Sequence, residues 1–505
     1  MWRNRGSRRR TATTAVALLM ALTTTAVTVP PAAAVAAREA RAVREPTPAA
    51  IERVVAEYAA RTGYPGIATA ITLGDRVLYT GGYGHDSSGA AVTATTPMPV
   101  ASVSKSFTAL AVMRLAEAGK VVLDAPVRSY LPGFRIADPR GERITVRQLL
   151  EQTSGLSDGT FPEKSLPQPD SPADAVTRTR TATLAAEPGT RHLYTNTNYH
   201  LAARLVEVVT GEPFAEYMRR QVFGPAGMRS TTTISQTPRD LPPGVREGHL
   251  YAYGMSVPAP EPKRFVGGSD GVITTAEDMA VWLITQNKGG VAPNGTRLLS
   301  TEGVRTTHTP SDRRWTYGLG WDTDARGRVS HSGIWFTYTA HQLLLPGGYG
   351  IAVIGNGGIG LGNEGIGALA EELATLVTGA SPETGSSLRL IIDLVLACLT
   401  LLSLVLGVRN LRRTGRWAER FVSRPAWRLL PRLLPRLFPL VLLVLLPRLL
   451  GMLAGGGRDL THLQLFYYSV ALVTWTAVAA LSNLAVLTTR VVALVRLRRT
   501  FRPGR

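Results

Sequence analysis

The chain has 505 residues and a formal net charge of +20, and the two ends carry that charge. Residues 1–45 contain eight arginines against two glutamates, and residues 387–505 contain eighteen arginines against three acidic residues. A nucleic-acid-binding domain concentrates basic residues on its folded part, whereas here the basic flanks also hold the apolar runs. We therefore expect a membrane partner and no nucleic acid. The single cysteine, Cys398, excludes a disulfide framework and a cysteine zinc site, and no cofactor or metal is expected.

Residues 1–36 have the pattern of an export signal peptide. An arginine-rich start is followed by an apolar run from Ala12 to Val29 and then by small residues. Cleavage after Ala34 or Ala36 satisfies the small-x-small rule, and an uncleaved membrane anchor is the alternative. This pattern predicts that the following domain leaves the cytoplasm.

Residues 388–505 are expected to form a membrane region with about three transmembrane helices, at 390–408, 437–454 and 465–487. Pro439 and Pro447 interrupt the second run, so the number of helices stays open. The arginine-rich segment 409–436 separates the first two runs, and the positive-inside rule puts it in the cytoplasm. The protein is therefore predicted to lie in the cell membrane as a multi-pass protein, with the domain that precedes these helices outside the cytoplasm.

Residues 46–380 are expected to form a mixed α and β domain. The domain opens with an amphipathic helix around Ile51 to Thr62, and a hairpin of residues 67–72 and 77–80 follows. A second strand pair, residues 339–345 and 350–355, lies near the end of the domain. We expect these distant strands to share one sheet.

The first chemical motif is the sequence SVSK at residues 102–105, which precedes an apolar helical pattern. One helical turn separates Ser102 from Lys105, so the amine is expected beside the hydroxyl. A lysine kept neutral there could take the proton of a nucleophilic serine. The alternative is that Ser102 only caps the helix.

Two further motifs follow in order along the chain. Residues 194–196 (YTN) precede a second apolar helix, and residues 331–333 (HSG) precede a strand. With SVSK, they resemble the serine β-lactamase and penicillin-binding-protein superfamily, specifically its class C β-lactamase and D-Ala-D-Ala carboxypeptidase branch. The resemblance covers roughly residues 50–375. Other segments that resemble the family are residues 123–127, 144–150, 153–156, 187–190, 224–228 and 317–321.

The resemblance implies an α+β fold of the β-lactamase/transpeptidase type, with an antiparallel sheet flanked by helices plus an all-helical region. It also implies a serine that is acylated and a pair of groups that move its proton. The implied roles are nucleophile for Ser102, proton transfer for Lys105 and Tyr194, substrate binding for Asn196, His331, Ser332 and Gly333, and an oxyanion hole from the backbone amides of Ser102 and Ile334.

One departure from the family pattern concerns charge. Class C β-lactamases usually have Lys-Thr-Gly where this chain has His-Ser-Gly, so a permanent positive charge is missing, and a neutral His331 would capture a substrate carboxylate less well. Bulky Trp335 and Phe336 follow at once. These departures speak against an efficient β-lactamase.

The sequence therefore predicts a membrane-anchored serine hydrolase outside the cytoplasm, acting through a Ser102 acyl-enzyme. The expected substrates belong to the cell envelope and are peptidoglycan-type D-alanyl peptides, related amides or esters, or β-lactams. One alternative is a penicillin-binding sensor that is acylated without turnover. Another is an α/β-hydrolase-type esterase using Ser269 of the sequence GGSDG, with Asp312 or Asp322 and His331 as partners. The oligomeric state stays open.

Overall fold

The computed structural model describes residues 45–382, 385–453 and 457–500, so the expected signal peptide, residues 1–36, lies outside the described residues. The helices are α1 (Pro48–Thr62), α2 (Ser104–Glu117), α3 (Val146–Leu150), α4 (Pro172–Arg178), α5 (Thr197–Thr210), α6 (Phe214–Met218), α7 (Gly224–Ala226), α8 (Ala276–Asn287), α9 (Thr301–His308), α10 (Gly367–Val377), α11 (Leu388–Arg412), α12 (Thr414–Phe421), α13 (Leu430–Leu433), α14 (Phe438–Leu453), α15 (His462–Tyr468) and α16 (Val470–Thr500). The strands are β1 (Gly66–Leu73), β2 (Arg76–Gly84), β3 (Met98–Pro99), β4 (Thr232–Thr233), β5 (Gln236–Thr237), β6 (Gly248–Ala252), β7 (Met255–Ala259), β8 (Arg264–Phe265), β9 (Val272–Thr274), β10 (Asp322–Thr323), β11 (Val329–Ile334), β12 (Thr339–Leu344) and β13 (Tyr349–Gly355).

The main sheet joins strands from both ends of the catalytic domain. Its order is β10-β11-β12-β13-β1-β2, and neighbouring strands run antiparallel. In the central pair, Ile67 faces Gly355 and Ile71 faces Ile351. The antiparallel sheet flanked by helices and the helical segments between residues 146 and 226 confirm the expected α+β fold.

The two faces of this sheet bury different layers of helices, because side chains alternate along a strand. Ile67 and Ile71 of β1 pack in one cluster with residues of α1 and α10. Ala68 and Ala70 point the other way and pack in a second cluster with residues of α2, α5 and α8. Helix α2, which carries Lys105, is thus held inside this second layer.

Trp282 of α8 joins three elements of the second layer. Its ring stacks on Phe107 of α2, with ring centres 3.9 Å apart. Its indole Nε1 donates to Gln342 Oε1 of β12 at 3.0 Å, and Gln342 Nε2 donates to Ser106 Oγ at 3.0 Å. Trp282 is fully buried, so this contact positions the helix of the SVSK motif against the sheet.

Among the described residues of the C-terminal region, three helical stretches are long and apolar enough to cross a membrane: Leu388–Arg412, Ala426–Leu453 and Val470–Thr500. The expected third run, residues 465–487, is divided at Ser469, whose backbone is extended. Residues before that point form the separate short helix α15. The third long helix therefore begins five residues later than the apolar pattern indicated.

The first of these helices, α11, is bonded directly to the catalytic domain. Arg389 is buried; its guanidinium donates to the carbonyl oxygens of Thr62 and Gly358 and lies 3.8 Å from the centre of the Tyr251 ring. One turn later, Asp393 Oδ2 accepts a hydrogen bond from the backbone N–H of Tyr253 at 2.8 Å. These contacts fix the direction in which α11 leaves the domain.

We expect Trp282→Ala to lower the free energy of unfolding by about 3–5 kcal/mol, because it empties a buried site between α2, α8 and β12. Trp282→Phe, which keeps a ring against Phe107 but leaves Gln342 Oε1 without its donor, should cost less. Urea unfolding of the detergent-solubilised chain measures both. Equal losses from the two variants would mean that ring packing contributes little.

Candidate active site

Ser102 lies in the 3-10 turn Ala101–Val103, immediately before α2. Ala101 has a φ of 49°, a left-handed conformation that costs free energy for a residue with a side chain. Ser102 remains partly exposed, whereas the side chain of Lys105 on the first turn of α2 is fully buried. Lys105 Nζ donates to Ser102 Oγ at 2.8 Å, so the structure brings together the pair expected from the sequence.

The ammonium group of Lys105 is surrounded by oxygen acceptors. Nζ lies 2.8 Å from Ser102 Oγ, 2.9 Å from Asn196 Oδ1, 3.0 Å from the carbonyl oxygen of Ser269 and 3.3 Å from Asp270 Oδ1. A neutral amine would turn a lone pair toward one of these oxygens, whereas an ammonium group offers three donors and no lone pair. The four oxygens around Nζ fit a protonated lysine at rest.

Asp270 is a site residue that the sequence analysis missed. Its buried carboxylate accepts from Ser102 Oγ at 2.6 Å on Oδ1, and from Asn196 Nδ2 at 3.1 Å and Arg264 at 3.2 Å on Oδ2. Burial alone raises the pKa of this carboxyl, but the charges of Lys105 and Arg264 bring the pKa well below its usual range. The hydroxyl proton of Ser102 therefore points at an ionised carboxylate. The available signal was an acidic residue inside the glycine turn GGSDG.

Tyr194 and Asn196 lie at the start of α5, on the other side of Lys105. Asn196 accepts from Lys105 and donates to Asp270, so it links the two charged groups. Lys105 Nζ lies 4.9 Å from the centre of the Tyr194 ring, and the guanidinium carbon of Arg458 lies 4.9 Å from the same centre. The contact between Tyr194 and Lys105 in this arrangement is made through the ring.

His331 lies within strand β11, rather than before a strand as the sequence pattern suggested. Its Nε2 is 2.9 Å from the hydroxyl of Tyr317, and its Nδ1 is 2.7 Å from the carbonyl oxygen of Ser332. Burial, together with the nearby charge of Lys105, lowers the pKa of His331 to about 3. The ring is therefore neutral at pH 7, and the six residues of β11 include no lysine or arginine.

Ser332, Gly333 and Ile334 complete the edge of β11 beside Ser102. Ser332 is exposed, with its Oγ 2.9 Å from His341 Nδ1. A Cβ atom on Gly333 would lie 2.1 Å from the carbonyl oxygen of Val100. Glycine is therefore needed to let β11 approach the turn that carries Ser102.

A cavity of about 550 Å³ opens onto Ser102. Of the residues singled out from the sequence, those that line it are Ser102, Tyr194, Asn196, His331, Ser332 and Ile334. Lys105 and Gly333 lie behind this surface, in contact with it. One further wall comes from Arg458 to Tyr468, which the sequence analysis had assigned to the membrane region alone.

The competing nucleophile, Ser269, has no exposed surface. Its Oγ lies 3.0 Å from His200 Nε2, and the turn that holds it leads into strand β9 rather than into a helix. The other members of the proposed esterase triad are engaged elsewhere: His331 contacts Tyr317, and Asp312 pairs with Arg314 at 2.5 Å. The GGSDG sequence does not form a nucleophile elbow.

Comparison with known proteins agrees with this geometry. A family model described as Beta-lactamase matches residues 51–374. Penicillin-binding protein 4 of Amycolatopsis lactamdurans is 31% identical over 314 residues, which span 58% of this chain and 81% of that protein. Protein flp of Staphylococcus aureus (strain N315) is 28% identical over 339 residues, which span 65% of this chain and 66% of that protein, just under two thirds of its length.

Among solved structures, the octameric penicillin-binding protein homologue from Pyrococcus abyssi superposes with a TM-score of 0.56 at 25% identity, covering 69% of this chain and 80% of that one. The fold is thus that of the β-lactamase/transpeptidase class of serine hydrolases. The chain belongs to the β-lactamase family, within the serine β-lactamase and penicillin-binding-protein superfamily.

The neutral state of His331 predicts a pH dependence of stability. An unfolded histidine titrates near pH 6.5, whereas folded His331 titrates near pH 3, so between these values the unfolded state binds the extra proton and acid favours unfolding. From pH 7 to pH 5 the wild type should therefore lose about 2 kcal/mol more than His331→Gln, which has no titrating ring. Urea unfolding at the two pH values measures this difference. Equal losses would show that His331 titrates normally in the folded chain.

Proposed function

We propose that this chain is a membrane-anchored serine hydrolase acting outside the cytoplasm, which forms an acyl-enzyme at Ser102 and releases the acyl group with water. The observation that carries the proposal is the hydrogen-bonded series Lys105, Ser102 and Asp270 at the base of an open pocket. Three apolar helical stretches and the expected signal peptide support attachment to the outer face of the membrane. The candidate acyl donors are D-alanyl peptides, related amides or esters, and β-lactams.

The acylation step begins with attack of Ser102 Oγ on the carbonyl carbon of the donor. The hydroxyl proton passes along its existing hydrogen bond to Asp270 Oδ1, and Tyr194, which lines the pocket, protonates the leaving group. Lys105 replaces the proton of Tyr194 after a shift of the tyrosine ring, since its present contact is with the ring. Asp270 then returns its proton to Lys105, 3.3 Å away. The ion pair ends in the state in which it began, and the new ester is later cleaved by water.

The oxyanion of the tetrahedral intermediate needs donors fixed in advance. We assign this role to the backbone amides of Ser102 and Ile334, which the glycine at 333 allows to lie close together. Asn196 and Ser332 are assigned to hydrogen bonding of the donor, and His331 to holding this edge of the pocket through Tyr317.

The alternative function is a sensor that is acylated and not regenerated. It is favoured by one observation: residues of the membrane region contribute to the wall of the pocket, so an acyl group would contact the segment between two membrane helices. The two functions differ in the lifetime of the acyl-enzyme. A hydrolase releases the acyl group and recovers free Ser102, whereas a sensor keeps the adduct for a long time.

We expect Ser102→Ala to abolish the covalent adduct formed with a fluorophosphonate and with a penicillin, because it removes the attacking oxygen. Ser269→Ala is the matched control and should keep both adducts, since Ser269 is sealed from solvent. Intact-protein mass spectrometry of the full chain reads the mass increase, and a time course after removal of free penicillin reads its release. If the adduct survives Ser102→Ala and disappears in Ser269→Ala, the nucleophile is Ser269 and the assignment of Ser102 is wrong.

We expect Asp270→Asn to slow acylation by about 10²- to 10⁴-fold, because the amide keeps the size of the side chain but cannot accept the serine proton. The rate is measured from single-turnover labelling with a fluorescent penicillin. Asp322→Asn is the control, since Asp322 is an exposed carboxylate at the same pocket, and its rate should stay unchanged. A wild-type rate in Asp270→Asn would assign proton removal to Lys105 alone.

A further inference from the structure

The segment between membrane helices α14 and α16 is bonded to the catalytic domain. We call residues 457–468 the docking segment. Asp459 Oδ2 accepts from the backbone N–H groups of Lys164 at 3.0 Å and Ser165 at 2.8 Å. Tyr467 donates to the carbonyl oxygen of Pro260 at 2.8 Å, and its ring packs edge-on against Phe336. The docking segment therefore has a defined position over the domain.

The docking segment also forms part of the wall of the pocket that opens onto Ser102. Its residues in that wall are Arg458, Leu460, Thr461, Leu463, Gln464 and Tyr468. Arg458 is the single arginine or lysine in the segment, so it is the residue that brings a permanent positive charge to this wall.

The guanidinium of Arg458 lies over the site residues and keeps a surface toward the pocket. Its carbon is 4.9 Å from the centre of the Tyr194 ring, which Lys105 contacts at the same distance. Its Nε lies 3.1 Å from Asp158 Oδ2, and 27% of the side chain is exposed. Its Nη1 donates to the carbonyl oxygen of Tyr194 at 3.4 Å. Arg458 is thus anchored through Nε and Nη1, and its remaining N–H groups can donate to a ligand in the pocket.

Asp158 is shared between Arg458 and a second cation. The same buried oxygen of Asp158 is also 3.1 Å from Lys164 Nζ, so two cations share one carboxylate. Asp459 directs its carboxylate at the backbone of residues 164 and 165 instead. Arg458 therefore keeps a partly exposed guanidinium in the pocket wall, and the neutral ring of His331 lines the same pocket.

We propose that Arg458 binds a carboxylate of the acyl donor, so that the membrane region supplies the recognition of charge in this hydrolase. Planar guanidinium groups bind carboxylates through paired N–H donors, which a neutral histidine cannot do. The substrate class is an acyl donor with a free carboxylate within reach of Tyr194 when its carbonyl lies at Ser102. This inference rests on the proposed function and names the substrate class for it.

The test uses two donors that carry the same acyl-D-alanyl group: its thioester of thioglycolate with the carboxylate free, and the methyl ester of that compound. Because methylation also changes the leaving thiol, each donor is compared between variants and not with the other donor. The full chain is assayed in detergent as wild type, Arg458→Gln, Arg458→Lys and Lys263→Gln. Lys263 is an exposed lysine at the same pocket and serves as the matched control. Fluorophosphonate labelling of Ser102 in each variant reports whether the site is intact.

We expect Arg458→Gln to lower kcat/KM for the free carboxylate by about 10- to 100-fold, mainly through KM, and to leave the methyl ester unchanged. Arg458→Lys should recover part of the loss, and Lys263→Gln should lose nothing on either donor. Equal losses on both donors would assign Arg458 to holding Tyr194 or the docking segment. A selective loss in Lys263→Gln alone would show that Lys263, and not Arg458, binds the carboxylate. Either result overturns the proposal.

Failure of the proposed function gives a different result. If wild-type Ser102 is labelled but Arg458→Gln leaves kcat/KM for the free carboxylate unchanged, recognition by Arg458 is wrong and acyl transfer at Ser102 stands. If Ser102 is not labelled and neither donor is consumed, the proposed function itself is wrong.

Discussion

A lysine without exposed surface has to find its charge and hydrogen-bond partners inside the protein, and Lys105 finds them in Asp270 and three neutral oxygens. Burying an ion costs several kcal/mol unless such partners replace its water. Asp270 is in turn shared with Arg264 and bridged to Lys105 by Asn196, so neither charge is left alone. The direction of the Ser102 hydroxyl follows from this pair, because the ammonium group donates to its oxygen while the carboxylate receives its proton.

The buried pair depends on the fold, since its members come from distant parts of the chain. Thr108 of α2 donates to the carbonyl oxygen of Gly268 at 2.7 Å, and Val272 donates to Ser104 Oγ at 2.9 Å, which ties the glycine turn to α2. From the other side, Trp335 Nε1 donates to the carbonyl oxygen of Asp270 at 3.1 Å. The bulky residue after His-Ser-Gly thus positions the carboxylate that Lys105 needs.

The parts of the site that could be predicted from the sequence are those with local spacing. Ser102 and Lys105 are one helical turn apart, and the alternation of Ile67 and Ala68 between two buried layers follows from the period of a strand. Asp270 contacts Ser102 from 168 residues away, so the spacing along the sequence could not connect the acidic residue of GGSDG with Ser102. The oxygen acceptors around Lys105 likewise come from distant parts of the chain, and only the folded chain assembles them. Arg458 was not selected for another reason: the apolar runs on both sides of it were interpreted only as membrane helices.

Arg458 lies outside the stretch of the chain that holds the groups around Ser102. The groups that contact Ser102 Oγ lie within residues 51–374, the stretch that matches the β-lactamase family, whereas the docking segment lies beyond it. Arg389 and Asp459 attach the C-terminal helical region to this domain at independent points. If Arg458 binds the acyl donor as proposed, the selection of substrate depends on that attachment, whereas the Lys105–Asp270 pair is held within the domain itself.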